Sequence, residues 1–166
     1  MRQFVTLGLL EDVSELFPPA TRATMHSSAI DLVSVVGRQY GVPYTYYQVG
    51  FFARRDLLAA AGITALPQTW GDLVAACDRL KANGIEPIAI GTRDLWPAAA
   101  WFDYFDLRLN GLAFHMDLMA GNIAYTDRRV RAVFTPWRTL LEHNCFSHHH
   151  ASSSWQESQG LLYQGQ

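Results

Sequence analysis

The sequence is poor in lysine, in cysteine and in charge of either sign. Of its 13 basic side chains only Lys81 is a lysine. Charged residues make up 17% of the 166, below the about 25% of an ordinary globular domain. With 15 acidic residues the formal net charge is -2. No basic surplus exists to displace counterions from a phosphate backbone, so nucleic acid is excluded as an expected partner. Two cysteines, Cys77 and Cys145, allow at most one disulfide and form no C-x-x-C. No apolar run approaches the ~18 residues of a membrane span. Neither G-x-G-x-x-G, a phosphate loop nor G-x-S-x-G occurs, which leaves nucleotide cofactors and serine hydrolysis without support. The motifs present therefore imply no cofactor.

What the chain has is apolar and aromatic mass. Hydrophobic residues account for 49% and aromatic ones for 13%, enough to bury a real core and to exclude a disordered chain. The opening Met1-Arg2-Gln3-Phe4-Val5 has one Arg before a short apolar stretch, but Glu11 and Asp12 follow without a small-residue cleavage site. It is taken as folded sequence. Residues 7–16 carry helical spacing up to Pro18-Pro19, and the β-branched run 29–36 predicts a strand. Residues 42–53 predict extended, aromatic-rich chain. A short helix over 54–61 is closed by Gly62, and a second, capped by Thr69, runs to Asn83-Gly84 with Cys77 on its apolar face. Residues 85–91 predict a short buried strand. Trp96-Pro97 opens a helix to about Leu109, ended by Asn110-Gly111, and a shorter one spans 114–119. Asp127 caps a helix over 128–143, residues 147–154 form an exposed polar loop, and 155–163 is a last helix. Helices alternating with short strands point to α/β layers.

Three chemistries compete for these residues. The run His148-His149-His150, with His143 nearby, invites a metal-binding or interaction module. Yet neighbours on an extended chain point to opposite sides, and no zinc-type spacing surrounds them. Asp94 with Asp103 or Asp106 offers paired carboxylates for a carbohydrate-active enzyme, though nothing in the sequence sets their separation. The third reading rests on aromatic density beside polar groups. Tyr44, Tyr46, Tyr47 and Gln48 share one stretch; Asp94, Trp96, Trp101 and Tyr104 surround one loop–helix junction; Trp155 opens the last helix. Flat rings cover the apolar faces of a sugar while Asp, Gln and Arg bond its hydroxyl rim.

An ordered series of segments then carries a resemblance. Tyr40-Gly41-Val42-Pro43-Tyr44, Gly50-Phe51-Phe52-Ala53-Arg54-Arg55-Asp56-Leu57-Leu58, Ala61-Gly62-Ile63, Pro67-Gln68-Thr69-Trp70-Gly71-Asp72-Leu73 and Gly84-Ile85-Glu86-Pro87-Ile88-Ala89-Ile90-Gly91-Thr92 follow one another. Together they resemble the central signature of extracellular solute-binding proteins of family 1, the sugar-binding components of bacterial ABC importers. The resemblance covers roughly residues 7–166. It implies a periplasmic-binding-protein-like α/β fold of type II. Residues 1–45 would be a remnant of the first lobe, 46–50 the hinge crossing and 51–166 an incomplete, helix-rich second lobe. It implies a non-enzyme with a carbohydrate ligand, membrane permease subunits as partners and a periplasmic or extracellular location, with membrane association only through the transporter or a lipid anchor. Tyr46, Tyr47, Gln48, Asp94, Trp96, Trp101 and Trp155 are the implied ligand contacts. Family members are about twice as long, so the chain is expected to be an internal fragment with weak or no binding of its own and with exposed apolar surface.

Overall fold

The computed structural model describes every residue except Gln48 and Gln166. The described residues form two compact units, Met1–Phe51 and Phe52–Gln166. Residues 46–50, expected at the hinge, lie at the end of the first.

The first unit is a set of short elements: α1 (Arg2–Thr6), a 3-10 turn (Ser14–Leu16), α2 (Pro19–Ala23), α3 (Ser27–Leu32), β1 (Ser34–Val35) and β2 (Arg38–Gln39). The helix expected over 7–16 does not form. Gly8 turns the chain at φ 66°, and the Asp12 carboxylate accepts from the Ser14 amide at 2.9 Å and its hydroxyl at 2.5 Å. Such local bonds compete with a helical ladder. The strand expected over 29–36 is also corrected. Ser27–Leu32 is helical, with Ile30 its one buried side chain, and only Ser34–Val35 is strand. One buried position in the run supplies no alternation of faces to hold a strand. A two-residue turn, Val36 (φ 50°) and Gly37 (φ 75°), joins β1 to β2 in antiparallel register Ser34↔Gln39. Positive φ at both positions is what the tight twisted hairpin requires.

Gln39 is the hub of this unit. It is 2% exposed and each of its polar groups is used. Its amide donates to Ser14 Oγ at 3.0 Å and its carbonyl accepts from Val13 at 2.8 Å. Its side chain donates to Ser34 Oγ at 3.1 Å and accepts from Arg22. Beyond β2, the described residues of 42–54 adopt no strand or helix, and Tyr44, Tyr46 and Tyr47 are exposed.

The second unit comprises α4 (Arg55–Ala60), α5 (Trp70–Ala82), α6 (Trp96–Met119), α7 (Arg128–Glu142) and α8 (Trp155–Gln164). Its starts follow the sequence. Thr69 and Asp72 form a reciprocal capping box on α5, and Asp127 Oδ1 accepts from the Arg129 amide at the start of α7. Arg54 Nη1 donates to the Leu162 carbonyl at 2.6 Å, tying the approach to α4 to α8. Gly111 (φ 82°, ψ 167°) breaks α6 into the two pieces that the sequence suggests. Around that break Asp106, fully buried, accepts from Asn110 Nδ2 at 2.8 Å and faces His115 Nδ1 at 2.9 Å. The core joins Cys77, Ile88, Phe105, Val133, Leu140 and Cys145. A smaller cluster of Phe114, Leu118 and Val130 lies under the second half of α6. The strand expected over 85–91 is reduced to one parallel bridge, Ile88 to Phe146; Pro87 brings no amide donor to extend it. Among the described residues no helix is long and apolar enough to cross a membrane.

Candidate functional site

The site begins with a backbone seam in the second unit. Ile88 donates to the Cys145 carbonyl at 2.9 Å, and Ser147 donates to the Ile88 carbonyl at 3.0 Å. Ser147 Oγ bonds the Ile90 carbonyl at 3.1 Å. Thr92 donates to the His150 carbonyl at 2.7 Å, and Arg93 to that of Ser153 at 3.1 Å. Between these bonds sits Gly91. A Cβ there would lie 2.0 Å from the Ser154 carbonyl oxygen, so only glycine permits the two backbones to meet. Residues 147–154 form the polar loop that their composition suggests, exposed at 148, 149, 151 and 152 but anchored at both ends. Ser147 and Ser154 are buried, because the seam recruits them.

Each side of the seam then starts a helix with an indole. On one side Leu95 turns at φ 61°, ψ -36°, and Trp96 opens α6 with buried Pro97 behind it. On the other, Ser154 caps α8 and Trp155 opens it. The Ser154 amide and hydroxyl donate to Glu157 Oε2 at 2.6 and 2.8 Å, while the Glu157 amide donates back to Ser154 Oγ at 3.2 Å. Those bonds hold the Glu157 carboxyl below its ordinary range, with a smaller contribution from Arg93. Arg93 Nη1 reaches the same oxygen at 3.3 Å, closing a charged link across the seam.

The outcome is an exposed aromatic corner. Trp96 and Trp155 meet edge to face, centroids 6.2 Å apart at 65°. They remain 56% and 37% exposed. Asp94, also exposed, stands two residues before Trp96, and its carbonyl accepts from the Trp96 amide at 2.7 Å. Two open indole faces, a carboxylate and an Arg–Glu pair give stacking surface beside hydrogen-bonding groups of both kinds.

The other expected residues are placed elsewhere. Trp101 packs on Phe105 and Phe146, centroids 5.5 and 5.4 Å away, at the edge of the core. It lines a cavity of about 200 Å³ with Trp137 and His150, smaller than the ~300 Å³ at which small-molecule sites begin. Tyr46 and Tyr47 belong to the first unit and are exposed, and Gln48 lies outside the described residues. Asp106 is withdrawn from the acid/base reading, since both its oxygens are engaged inside the α6 break. The histidines do not converge. His143 pairs with Asp78 on α5 at 3.1 Å, whereas His150 Nδ1 faces Thr92 Oγ1 at 3.2 Å. Among the described residues no three His, Cys, Asp or Glu side chains come together as a metal site would need. Sequence reasoning missed Arg93, Glu157 and Gly91. The Ser154-x-x-Glu157 spacing was the available signal for one of them; a close backbone approach leaves no comparable mark.

A family model of bacterial extracellular solute-binding proteins matches residues 1–166, the whole chain. The chain belongs to that family. An ABC transporter extracellular-binding protein of Pyrococcus horikoshii is 22% identical over 168 residues, taking in all of this chain and 38% of that protein. A second protein of that description from the same organism is 31% identical over 114 residues. Among solved structures, a bacterial solute receptor described as exclusive for β-D-galactopyranose is 27% identical at a TM-score of 0.79. It aligns over 98% of this chain and 41% of its own. A chitin oligosaccharide binding protein aligns over 99% of this chain and 41% of its own, with a TM-score of 0.84 at 24% identity. The fold is therefore that of the type II solute-binding proteins. This family consists of substrate-binding proteins and not of enzymes. The chain spans about two fifths or less of the length of the relatives it matches.

Proposed function

We propose that this chain is part of a solute-binding protein that captures a sugar or oligosaccharide in the periplasm or outside the cell and delivers it to the membrane permease of an ABC importer. One observation carries the carbohydrate reading: the edge-to-face Trp96–Trp155 pair, partly open to solvent, with Asp94 and the Arg93–Glu157 link beside it. The rings take the C–H faces of a pyranose and the charged groups its hydroxyls. The sugar-binding descriptions of the solved relatives support the same class. Tyr46 and Tyr47 are read as further contacts near a hinge at 46–50.

Affinity for small ligands depends on enclosing most of their surface, and lobe closure is how such proteins enclose it. The isolated corner presents one wall. The 166-residue chain is therefore expected to bind saccharides weakly, in the millimolar range of roughly 4 kcal/mol. Indole N–H resonances give the test. Titrating mono- and oligosaccharides should shift the signals of Trp96 and Trp155 and leave those of Trp70 and Trp137 in place. Equal shifts at all indoles, or none at tens of millimolar sugar, would remove the corner from the reading. Submicromolar binding in calorimetry would overturn the one-wall argument instead.

A further inference from the structure

The two cysteines have no part in the corner, yet they meet. Cys77 sits on the inner face of α5 and Cys145 just past the end of α7. Both belong to the same core cluster, and they are 1% and 0% exposed. Both are free thiols. The segments that carry them are tied together by side chains. One residue after Cys77, Asp78 pairs with His143 Nδ1 at 3.1 Å, and Lys81, one turn further along α5, donates to the His143 carbonyl. On the far side the Cys145 carbonyl accepts from Ile88 at 2.9 Å. Burial, the largest cause, pushes both thiols above the ordinary thiol range, and each acts on the other. Buried thiols of that kind are inert packing groups unless oxidised to each other.

We infer that Cys77 and Cys145 form a structural disulfide when the chain folds in an oxidising compartment, clamping α5 to the segment that follows α7. The pairing uses the only two cysteines of the chain. The inference rests on the extracellular setting of the family, since disulfides persist there and are rare in the cytosol. The oxidant is an external disulfide, of the class of oxidised glutathione or the exposed disulfide of a thiol oxidoreductase. One cysteine thiolate displaces a thiolate from the external disulfide, giving a mixed disulfide. The second cysteine then displaces the other thiolate. One S–S bond forms in the protein and one is lost from the oxidant. The two thiol protons and two electrons end on its two released thiols. Because both sulfurs are sealed in the finished core, exchange takes place while the core is still open.

The experiment refolds the chain from reducing denaturant into a glutathione redox buffer. The expected product is a monomer about 2 Da lighter with no thiol reactive after denaturation. Its melting midpoint should stand about 10 °C above that of the same protein refolded with reductant, because the cross-link closes a long loop. The equilibrium constant against glutathione should be roughly a hundredfold or more higher in buffer than in denaturant. Cys77→Ala and Cys145→Ala should each leave one thiol and lose the dependence of the midpoint on oxidant. Two reactive thiols after oxidative refolding, a midpoint that does not rise, or equal constants in buffer and denaturant would each overturn the inference. The constant is read on the unaltered chain, so the result does not depend on whether the variants fold. None of these readouts involves saccharide, so failure here and failure of the carbohydrate reading are separate events.

Discussion

The two compact units solve the problem of holding a chain together in opposite ways. In Met1–Phe51 the buried apolar side chains are Phe17 and Ile30, and the centre is an amide, Gln39, bonded on every polar atom. In Phe52–Gln166 the centre is continuous and apolar, from Cys77 and Ile88 through Phe105 and Val133 to Leu140. The first depends on directional bonds, each worth about 0.5–1.5 kcal/mol net. The second depends on area removed from water, which is indifferent to direction and accumulates with every residue. The contrast teaches where tolerance lies: the apolar unit absorbs changes of shape by degrees, whereas the polar hub works only while all its partners remain.

Four substitutions press on that contrast. The largest effect is expected from Gly91→Ala, since no rotamer relieves a Cβ 2.0 Å from a backbone oxygen. It should cost about 3 kcal/mol or more, and it should abolish saccharide-induced shifts at Trp96 and Trp155 even in the folded fraction. A binding response equal to wild type would mean that the seam does not set the corner. Leu140→Ala, at a fully buried position, should lower urea stability of the second unit by about 3–4 kcal/mol. Amide exchange should show Ser147 and Ile88 opening while Val13 stays protected. Gln39→Ala should do the reverse at about 2 kcal/mol, releasing Val13 and Tyr40. If Leu140→Ala and Gln39→Ala each loosen both units equally, the units are one cooperative body and the comparison fails. The smallest effect comes from charge. Arg129 holds the Asp127 carboxyl down to about 2, helped by the Arg129 amide; Arg54 does the same for Asp56. A carboxylate depressed in the folded state stabilises fully above its ordinary value near 3.8 and stops doing so as pH falls towards 2. Melting temperature should therefore fall over that acid window. Asp127→Asn keeps the cap but not the charge, so its decline should be shallower.

The legible parts of the molecule were those written in local chemistry. Thr69 with Asp72, Asp127, Gly62 and the Asn110-Gly111 break mark their helices because caps and stops act within a few residues. Trp96 and Trp155 were legible as polar-flanked aromatics at helix starts. Their meeting was not, because it is set by Gly91 against Ser154, residues distant in sequence. The strands at 29–36 and 85–91 failed for a related reason. β-branched runs state a preference, and a strand exists only where a partner accepts its hydrogen bonds. Ile88 finds one bridge and Ile30 finds a helix. Trp101 and Asp106 look like site residues by type but are claimed by Phe146 and His115. Composition does not distinguish a ring that faces water from one that faces a neighbour.

Because the contact at Gly91 is main chain against main chain, the two helix starts that carry the indoles are brought together by a joint that contains the side chain of neither tryptophan nor Asp94. Replacing Asp94 or either tryptophan changes what the corner can hold without moving the scaffold that presents it. Recognition and framework are thus separately editable, and a new specificity is reached by swapping fittings on an unaltered hinge plate.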